Sequence, residues 1–223
     1  MNTAAPIKPS HRRASGRTVV IREADSLASL LVEVRACRTC EGALPLGPRP
    51  VVQASARSRI LIIGQAPSRT VHETGIPWND LSGERLREWL GVTRDDFYDP
   101  EKFAIVPMGF CFPGTGPNGD LPPRRECAEQ WHDRVIRELR AVELTLLIGQ
   151  YAQRHVLGTG SSRSVTSTVA AYADHAPHQI PLPHPSPRNR KWLLDNVWFE
   201  REVIPLLKKR VSEVLVVRKG GAT

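Results

Sequence analysis

Four cysteines are the residues of this chain whose type and spacing most clearly suggest chemistry. Two residues separate Cys37 from Cys40, a gap of 70 residues follows, and 15 residues separate Cys111 from Cys127. Thiolates grouped two by two are typical ligands of a [4Fe-4S] cluster, and they also suit a structural zinc ion. Four unrelated buried cysteines are the remaining interpretation. The spacing therefore predicts a metal centre, with a [4Fe-4S] cluster favoured and zinc as the alternative.

The setting of these cysteines favours free thiols over disulfides. A chain of 223 residues can bury a core without disulfide staples, and no apolar run near its N-terminus resembles a signal peptide. We therefore expect reduced cysteines in a cytoplasmic protein. No stretch approaches the roughly 18 apolar residues that a membrane span needs, so no membrane partner is expected.

The charge balance weakly favours a polyanion as partner. The chain carries 31 Lys and Arg against 23 Asp and Glu, which gives a net charge of +8. Residues 1–22 combine five basic residues with Pro, Ser, Ala and Thr and lack apolar periodicity, so we expect a disordered basic arm. Residues 23–217 are expected to form a single domain, and residues 218–223 a flexible tail.

Short apolar runs alternate with helical patterns through the rest of the chain. Strands are predicted at 59–63, 103–106, 144–148 and 179–182. Helices are predicted at 25–37, 82–90, 127–139, 150–157 and 189–217, the last with Pro205 at a kink or boundary. Residues 158–176 are predicted to be a loop. This alternation predicts a parallel sheet covered on both faces, with ligands binding outside the carboxyl ends of its strands.

Three loops qualify for such a ligand site. They are the segments 64–68 with 75–80, 107–114 and 184–189. Their motifs are Gly64-Gln-Ala-Pro67 after a strand, Trp78 after Gly-x-Pro, and His184-Pro-Ser-Pro187 before the last helix. These motifs resemble those of the uracil-DNA glycosylase superfamily. The cysteine spacing is similar to that of its iron-sulfur family 4 branch. The resemblance, from about Cys37 to Arg210, implies a three-layer α/β/α fold with a central four-stranded parallel sheet.

The resemblance also implies roles for individual residues. His184 matches the histidine that hydrogen-bonds the oxygen of the departing pyrimidine, a role for which a neutral donor suffices. Gln65 and Ala66 lie where the family positions water, and Ala66 offers no carboxylate. Trp78 matches the aromatic residue on which the flipped base stacks. Asp80 is expected either to contribute charge to the pocket or to cap the following helix.

One position departs from the family. Family 4 members carry an asparagine that reads the uracil edge where this chain has Pro107, and proline offers neither a side-chain amide nor a backbone N–H. Recognition of the base is therefore expected from backbone groups of Met108 or Gly109, or from Asn79 or Asp80.

The remaining predicted site residues would contact DNA. Arg188 and Asn189 occupy the stretch that in the family enters the minor groove and fills the gap left by the flipped base. Arg190 is expected to add salt-dependent affinity for DNA. Ser68 and Ser186 are expected to touch phosphates.

The leading functional interpretation is a monomeric DNA glycosylase that excises uracil or a related deaminated base from DNA in base excision repair. A second interpretation is a non-catalytic iron-sulfur DNA-binding protein of the same fold, which Pro107 favours. A third, a redox-responsive iron-sulfur protein unconnected to DNA, is disfavoured by the basic charge.

Overall fold

The computed structural model describes residues 27–117, 119–158 and 163–216. The expected basic arm at 1–22 and the expected tail at 218–223 lie outside these residues. Every helix within the described ranges is too short or too polar to span a lipid bilayer.

Four parallel strands form the central sheet, as predicted. In chain order the strands of the protein are β1 (Ile60–Ile63), β2 (Phe103–Ile105), β3 (Thr115–Gly116), β4 (Gly119–Asp120), β5 (Leu144–Ile148) and β6 (Gln179–Leu182). The central sheet has the order β2-β1-β5-β6, and each neighbouring pair is parallel. The short strands β3 and β4 form a separate antiparallel hairpin, which the sequence analysis did not predict.

Helices connect these strands. They are α1 (Leu27–Arg35), α2 (Arg69–Thr74), α3 (Leu81–Leu90), α4 (Arg94–Tyr98), α5 (Arg125–Cys127), α6 (Asp133–Arg137), α7 (Gly149–Leu157), α8 (Val165–Ala170), α9 (Arg190–Asp195) and α10 (Ile204–Leu215). Two π-helical segments, Ala128–His132 and Phe199–Val203, precede α6 and α10. Short 3-10 helices lie at Glu41–Ala43, Tyr172–Asp174 and Pro187–Asn189.

The helices cover both faces of the sheet, because alternate side chains of each strand point to opposite sides. Ile60 and Ile62 pack in one buried cluster with residues of α3, α4 and α10, such as Leu86. Leu61 and Ile63 belong to a second cluster with residues of α1, α6 and α7. The predicted three-layer α/β/α fold with a central four-stranded parallel sheet is confirmed.

Several local predictions were wrong. The predicted loop at 158–176 contains α8, whose first turn is stabilised by Ser164, because this side chain accepts a hydrogen bond from the Ser167 N–H. The helix predicted at 127–139 is divided into α5, a π-helical segment and α6. The pattern predicted as one helix at 189–217 is likewise divided. The boundary predicted at Pro205 is confirmed, because Pro205 lies in the first turn of α10, directly after the π-helical segment Phe199–Val203.

The strand order places a ligand crevice between β1 and β5. The chain leaves β1 toward β2 on one side and later returns to pair β5 on its other side, so the connections diverge above the carboxyl ends of β1 and β5. Such a switch point opens a crevice in parallel α/β sheets. Gly64 and Gly149 are the first residues beyond these two strand ends.

Candidate active site

A cleft of about 430 Å³ opens at the carboxyl edge of the sheet. This volume lies in the range typical of ligand pockets. Loops that follow β1, β2 and β6 contribute to its walls, together with Gln150 in the first turn of α7, which follows β5 directly. Nine of the residues singled out from the sequence line it: Gln65, Ala66, Ser68, Trp78, Asp80, His184, Ser186, Arg188 and Asn189.

His184 is held in one protonation state and one orientation. The backbone N–H of Ser186 donates to its Nδ1 at 3.2 Å, so the ring proton of the neutral imidazole resides on Nε2. The carbonyl of His184 accepts a hydrogen bond from Nδ2 of Asn189 at 2.8 Å. Burial of the ring lowers the pKa of His184 to about 4, against the opposing effect of the Asp80 carboxylate. At neutral pH this residue is therefore an uncharged Nε2–H donor.

Trp78 lies beside His184 in an unusual backbone conformation. Its φ of +54° is left-handed, which costs a bulky residue of the order of 1–3 kcal/mol and often accompanies function. The Tyr98 hydroxyl donates to the Pro77 carbonyl at 3.0 Å, and Gly83 leaves room for the Trp78 carbonyl. The indole covers Gly64, where an added Cβ would lie 2.9 Å from the ring. Its centroid is 5.5 Å from that of the His184 imidazole.

Asp80 and Ser68 form a structural pair at the cleft wall. Asp80 accepts the Gly83 N–H at 3.0 Å and so caps the N-terminus of α3, while its second oxygen accepts the Ser68 hydroxyl at 2.8 Å. Ser68 also caps α2 by accepting the Val71 N–H at 3.3 Å. The capping role considered for Asp80 is confirmed, and both of its carboxylate oxygens have partners.

The first loop is tied to the second by backbone hydrogen bonds. The N–H of Met108 donates to the Gly64 carbonyl, and the N–H of Gly109 donates to the Gln65 carbonyl, both at 2.9 Å. Met108 and Gly109 are buried, and neither lines the cleft. Their N–H groups are therefore occupied, so a role of Met108 or Gly109 in reading the base edge, which stays a prediction, would fall to their carbonyl groups.

Pro107 does line the cleft, and a buried histidine fixes it there. His132, a residue that the sequence analysis did not single out, is fully buried and lies 2.7 Å from the Pro107 carbonyl through Nε2. Because a carbonyl can only accept, Nε2 carries the proton. Burial lowers the pKa of His132, so the neutral ring is retained. The π-helical segment that ends at His132 thus holds Pro107 in the cleft wall through this hydrogen bond.

Two other predicted site residues lie outside the cleft, and the DNA contact predicted for Arg190 stays a prediction. Asn79 accepts a hydrogen bond from Arg94 at 3.1 Å and does not line the cleft, and exposed Arg190 does not line it either. Arg188 does reach the cleft, where its guanidinium lies against Gly119 of the β3–β4 hairpin.

The hairpin adds a carboxylate that sequence reasoning missed. Asp120, at the end of β4, lines the cleft. Asp120 is exposed, and partial desolvation by the cleft walls raises its pKa above the ordinary aspartate value, although nearby Arg188 and a hydrogen bond from Thr115 oppose this effect. No motif marks Asp120 in the sequence, because it lies in a loop rich in Gly and Pro.

The four cysteines line one small cavity on the α1 and α6 side of the sheet. Burial raises the pKa of Cys111 to about 12 and that of Cys127 to about 11, so these thiols stay protonated unless a metal cation offsets the burial. Within the described residues, no three His, Cys, Asp or Glu side chains are arranged to hold a single metal ion.

Two buried N–H groups bear on what this cavity could hold. Trp131 and Arg124 line it together with the cysteines, and Nε1 of Trp131 and Nε of Arg124 make no hydrogen bond of normal geometry within the described residues. The groups with which these side chains interact in the cavity are thiols, namely Cys37 for Trp131 and Cys40 for Arg124. Buried donors are rarely left unpaired, because each costs about 1–3 kcal/mol. Thiolate and sulfide are acceptors that would suit them, so the donor set fits an iron-sulfur cluster.

A comparison with protein families agrees with this geometry. The family model of the uracil DNA glycosylase superfamily matches residues 51–208, which is well over half of the chain. The matched segment includes the whole central sheet and every cleft-lining residue, together with Cys111 and Cys127. It begins after Cys37 and Cys40.

Proposed function

Because the chain belongs to the uracil DNA glycosylase superfamily, we propose that it hydrolyses the N-glycosidic bond of uracil, or of a related deaminated base, in DNA during base excision repair. The observation that carries this proposal is the neutral His184, which offers an Nε2–H donor beside the Trp78 ring in a cleft of suitable size. A donor aimed at a flipped base is what this reaction requires.

The chemistry assigns a task to each group. The C1′–N bond breaks, its electron pair leaves with the base as an anion, and water adds to C1′ of the sugar. The water loses one proton to solvent, and the base anion takes up one proton from solvent after it leaves. His184 donates its Nε2–H to the base oxygen on which that negative charge gathers. This hydrogen bond is stronger in the transition state than with the neutral base, because the acceptor becomes more negative. The face of Trp78 holds the base by stacking. Arg188 and Ser186 at the mouth contact the DNA backbone, which makes binding dependent on salt.

Cleavage of oligonucleotides tests this function. Single- and double-stranded oligonucleotides that carry uracil, hypoxanthine or xanthine are incubated with the protein and then treated with alkali, which breaks the strand at abasic sites. We expect cleavage at one or more of these bases and a rate about 100- to 1,000-fold lower for His184→Ala. His178→Ala is the matched control, because His178 is exposed at the amino end of β6. A His184→Ala protein as fast as the wild type would contradict the role of His184.

A second candidate is a DNA-binding protein without catalytic activity. Pro107 favours it, because this position offers no amide and the N–H groups of Met108 and Gly109 are already bonded. Salt-sensitive binding of these oligonucleotides without cleavage of any of them would support this candidate.

We also propose that Cys37, Cys40, Cys111 and Cys127 hold a [4Fe-4S] cluster, as in the family 4 branch. The shared cavity and the unpaired donors of Trp131 and Arg124 support this proposal. The arrangement is less suited to zinc, which needs four ligands about 2.0–2.3 Å from one ion. When bound, the cluster would supply a structural link rather than redox turnover. These cysteines would then tie the end of α1 to the loop and helix that follow β2.

A further inference from the structure

The β3–β4 hairpin is attached directly to the first loop of the cleft. The residue after Asp120 is Leu121, whose carbonyl accepts a hydrogen bond from Nε2 of Gln65 at 3.1 Å. The Leu121 N–H in turn donates to the Gly114 carbonyl at 2.8 Å, which closes the base of the hairpin. The backbone of Asp120 is therefore held next to Gln65, which belongs to the loop where water is expected.

This loop lacks a carboxylate of its own, because position 66 is alanine. Hydrolysis of an N-glycosidic bond nevertheless places positive charge on the sugar and needs a water molecule directed at C1′. A carboxylate serves both needs, since it attracts the cationic sugar and accepts a hydrogen bond from the water.

Two carboxylates line the described part of the cleft, and they differ in how far their oxygens are already engaged in hydrogen bonds. Asp80 has a partner for each oxygen, namely the Gly83 N–H and the Ser68 hydroxyl. The hydrogen bond recorded for Asp120 is a long one, from the Thr115 hydroxyl at 3.5 Å. Asp120 is thus the cleft carboxylate with acceptor capacity to spare.

We propose that Asp120 is a catalytic residue that orients the attacking water and stabilises the positively charged sugar, in place of the carboxylate that Ala66 lacks. This inference rests on the proposed glycosylase activity. It adds to that activity a residue on a separate element of the fold, brought to the first loop by the Gln65–Leu121 hydrogen bond.

The charges around Asp120 determine how its role should depend on pH. Arg188 faces it from the 3-10 helix after β6, Asp80 faces it from the start of α3, and Thr115 faces it across the hairpin. His184 shares the cleft and is neutral near pH 7. Partial desolvation of this exposed side chain, together with Asp80, outweighs Arg188 and Thr115, so the pKa of Asp120 is raised. Because the ionised form is the active one, the rate should fall as pH drops through this raised pKa.

Asp120→Asn tests the proposal by separating chemistry from binding. The variant keeps the shape of the side chain and removes its charge. Single-turnover cleavage with saturating enzyme is measured from pH 4.5 to 8.5, and DNA affinity is measured in parallel. We expect a rate at pH 7.5 at least about 100-fold lower, with the acid limb of the profile lost. DNA affinity should be unchanged or higher, because one negative charge has been removed.

Two further variants complete the test. Asp120→Glu, which restores a carboxylate, should recover part of the rate. Asp174→Asn removes one exposed carboxylate in the segment that precedes the amino end of β6, and it should cleave like the wild type. An Asp120→Asn protein with the wild-type rate, or one whose affinity for DNA falls as much as its rate, would overturn the proposal for Asp120 alone. A wild-type protein that cleaves none of the substrates would overturn the proposed function and this inference with it.

Discussion

The cleft and the cysteine cavity differ in how their polar groups are hydrogen-bonded. In the cleft, His184, Ser68 and Asp80 are bonded to groups of the same chain, so the site is in place before any ligand arrives. In the cavity, the buried Nε1–H of Trp131 and Nε–H of Arg124 make no hydrogen bond of normal geometry within the described residues, and these side chains interact with the thiols of Cys37 and Cys40. The polar groups of the cleft are thus paired within the chain, whereas the donors of the cavity remain available for the cluster proposed above.

This difference leads to a general expectation. Substitutions in the cleft should change the rate of the reaction and leave the fold stable. Substitutions in the cavity should change the stability and the cofactor content of the protein. The rate at which folded protein cleaves bound DNA should remain largely unaltered. The following four tests probe this division, from the largest expected effect to the smallest.

Cys127→Ser should have the largest effect. Cys127 is buried in the second core cluster, and its loss would remove one ligand of the proposed cluster and release the tie across the 70-residue gap. We expect loss of visible colour and iron and of most soluble protein. Absorption spectra, iron analysis and soluble yield measure this, with Trp78→Ala as the coloured control. A colourless wild type and a fully stable Cys127→Ser protein would contradict the cluster.

Trp78→Ala should slow cleavage without unfolding the protein. Stacking of a base on an aromatic side chain contributes about 1–3 kcal/mol, which corresponds to a loss of about 5- to 150-fold in single-turnover efficiency. Trp78→Phe, which retains a ring, should keep most of the activity. Equal activity of the Ala and Phe variants would show that this ring does not hold the base.

His184 should make stability depend on pH in a known direction. Its pKa is lowered from 6.5 to about 4 in the folded protein, so the unfolded state binds more protons between these values. Stability is therefore lost as pH falls from 6.5 toward 4, by at most about 3 kcal/mol, and is independent of this group above 6.5. Urea unfolding at pH 7.5 and pH 4.5 should show a smaller loss for His184→Gln than for the wild type. Equal losses in the two proteins would mean that the ring is not desolvated.

Trp131→Phe should have the smallest effect, and its sign is informative. Without a bound cofactor, removing an unpaired buried N–H should raise stability by up to about 1–3 kcal/mol. With the proposed cluster bound, the same change should lower stability, because a hydrogen bond to sulfur is lost. Thermal unfolding of loaded and chelator-treated protein compares the two cases.

Trp192→Phe is the matched control for this comparison. The indole of Trp192 already donates to the Thr166 hydroxyl at 2.7 Å, so its loss should destabilise both preparations alike. The same sign for Trp131→Phe in both preparations would argue that the cavity presents no acceptor to this indole.

The sequence predicted the regular part of the fold well. Each strand of the central sheet is a short, mostly apolar run of the kind that a buried parallel strand requires, and this property can be read from neighbouring residues alone. The segments that failed were those governed by distant contacts. The Ser- and Thr-rich stretch at 165–170 forms α8, because it packs on α7 and β6 and is capped by Ser164.

The same distinction between local patterns and distant contacts applies to the candidate site. From the sequence alone came the loops at the strand ends and the side chains that these loops carry, since a motif and its position after a strand are local properties. The tertiary structure alone decided that Met108 and Gly109 turn inward, that His132 supports Pro107, and that Asp120 joins the cleft. It also decided that His184 is neutral. The burial of a side chain and its hydrogen-bond partners depend on contacts between segments that are distant in the sequence. Such contacts cannot be predicted from a local pattern of residues.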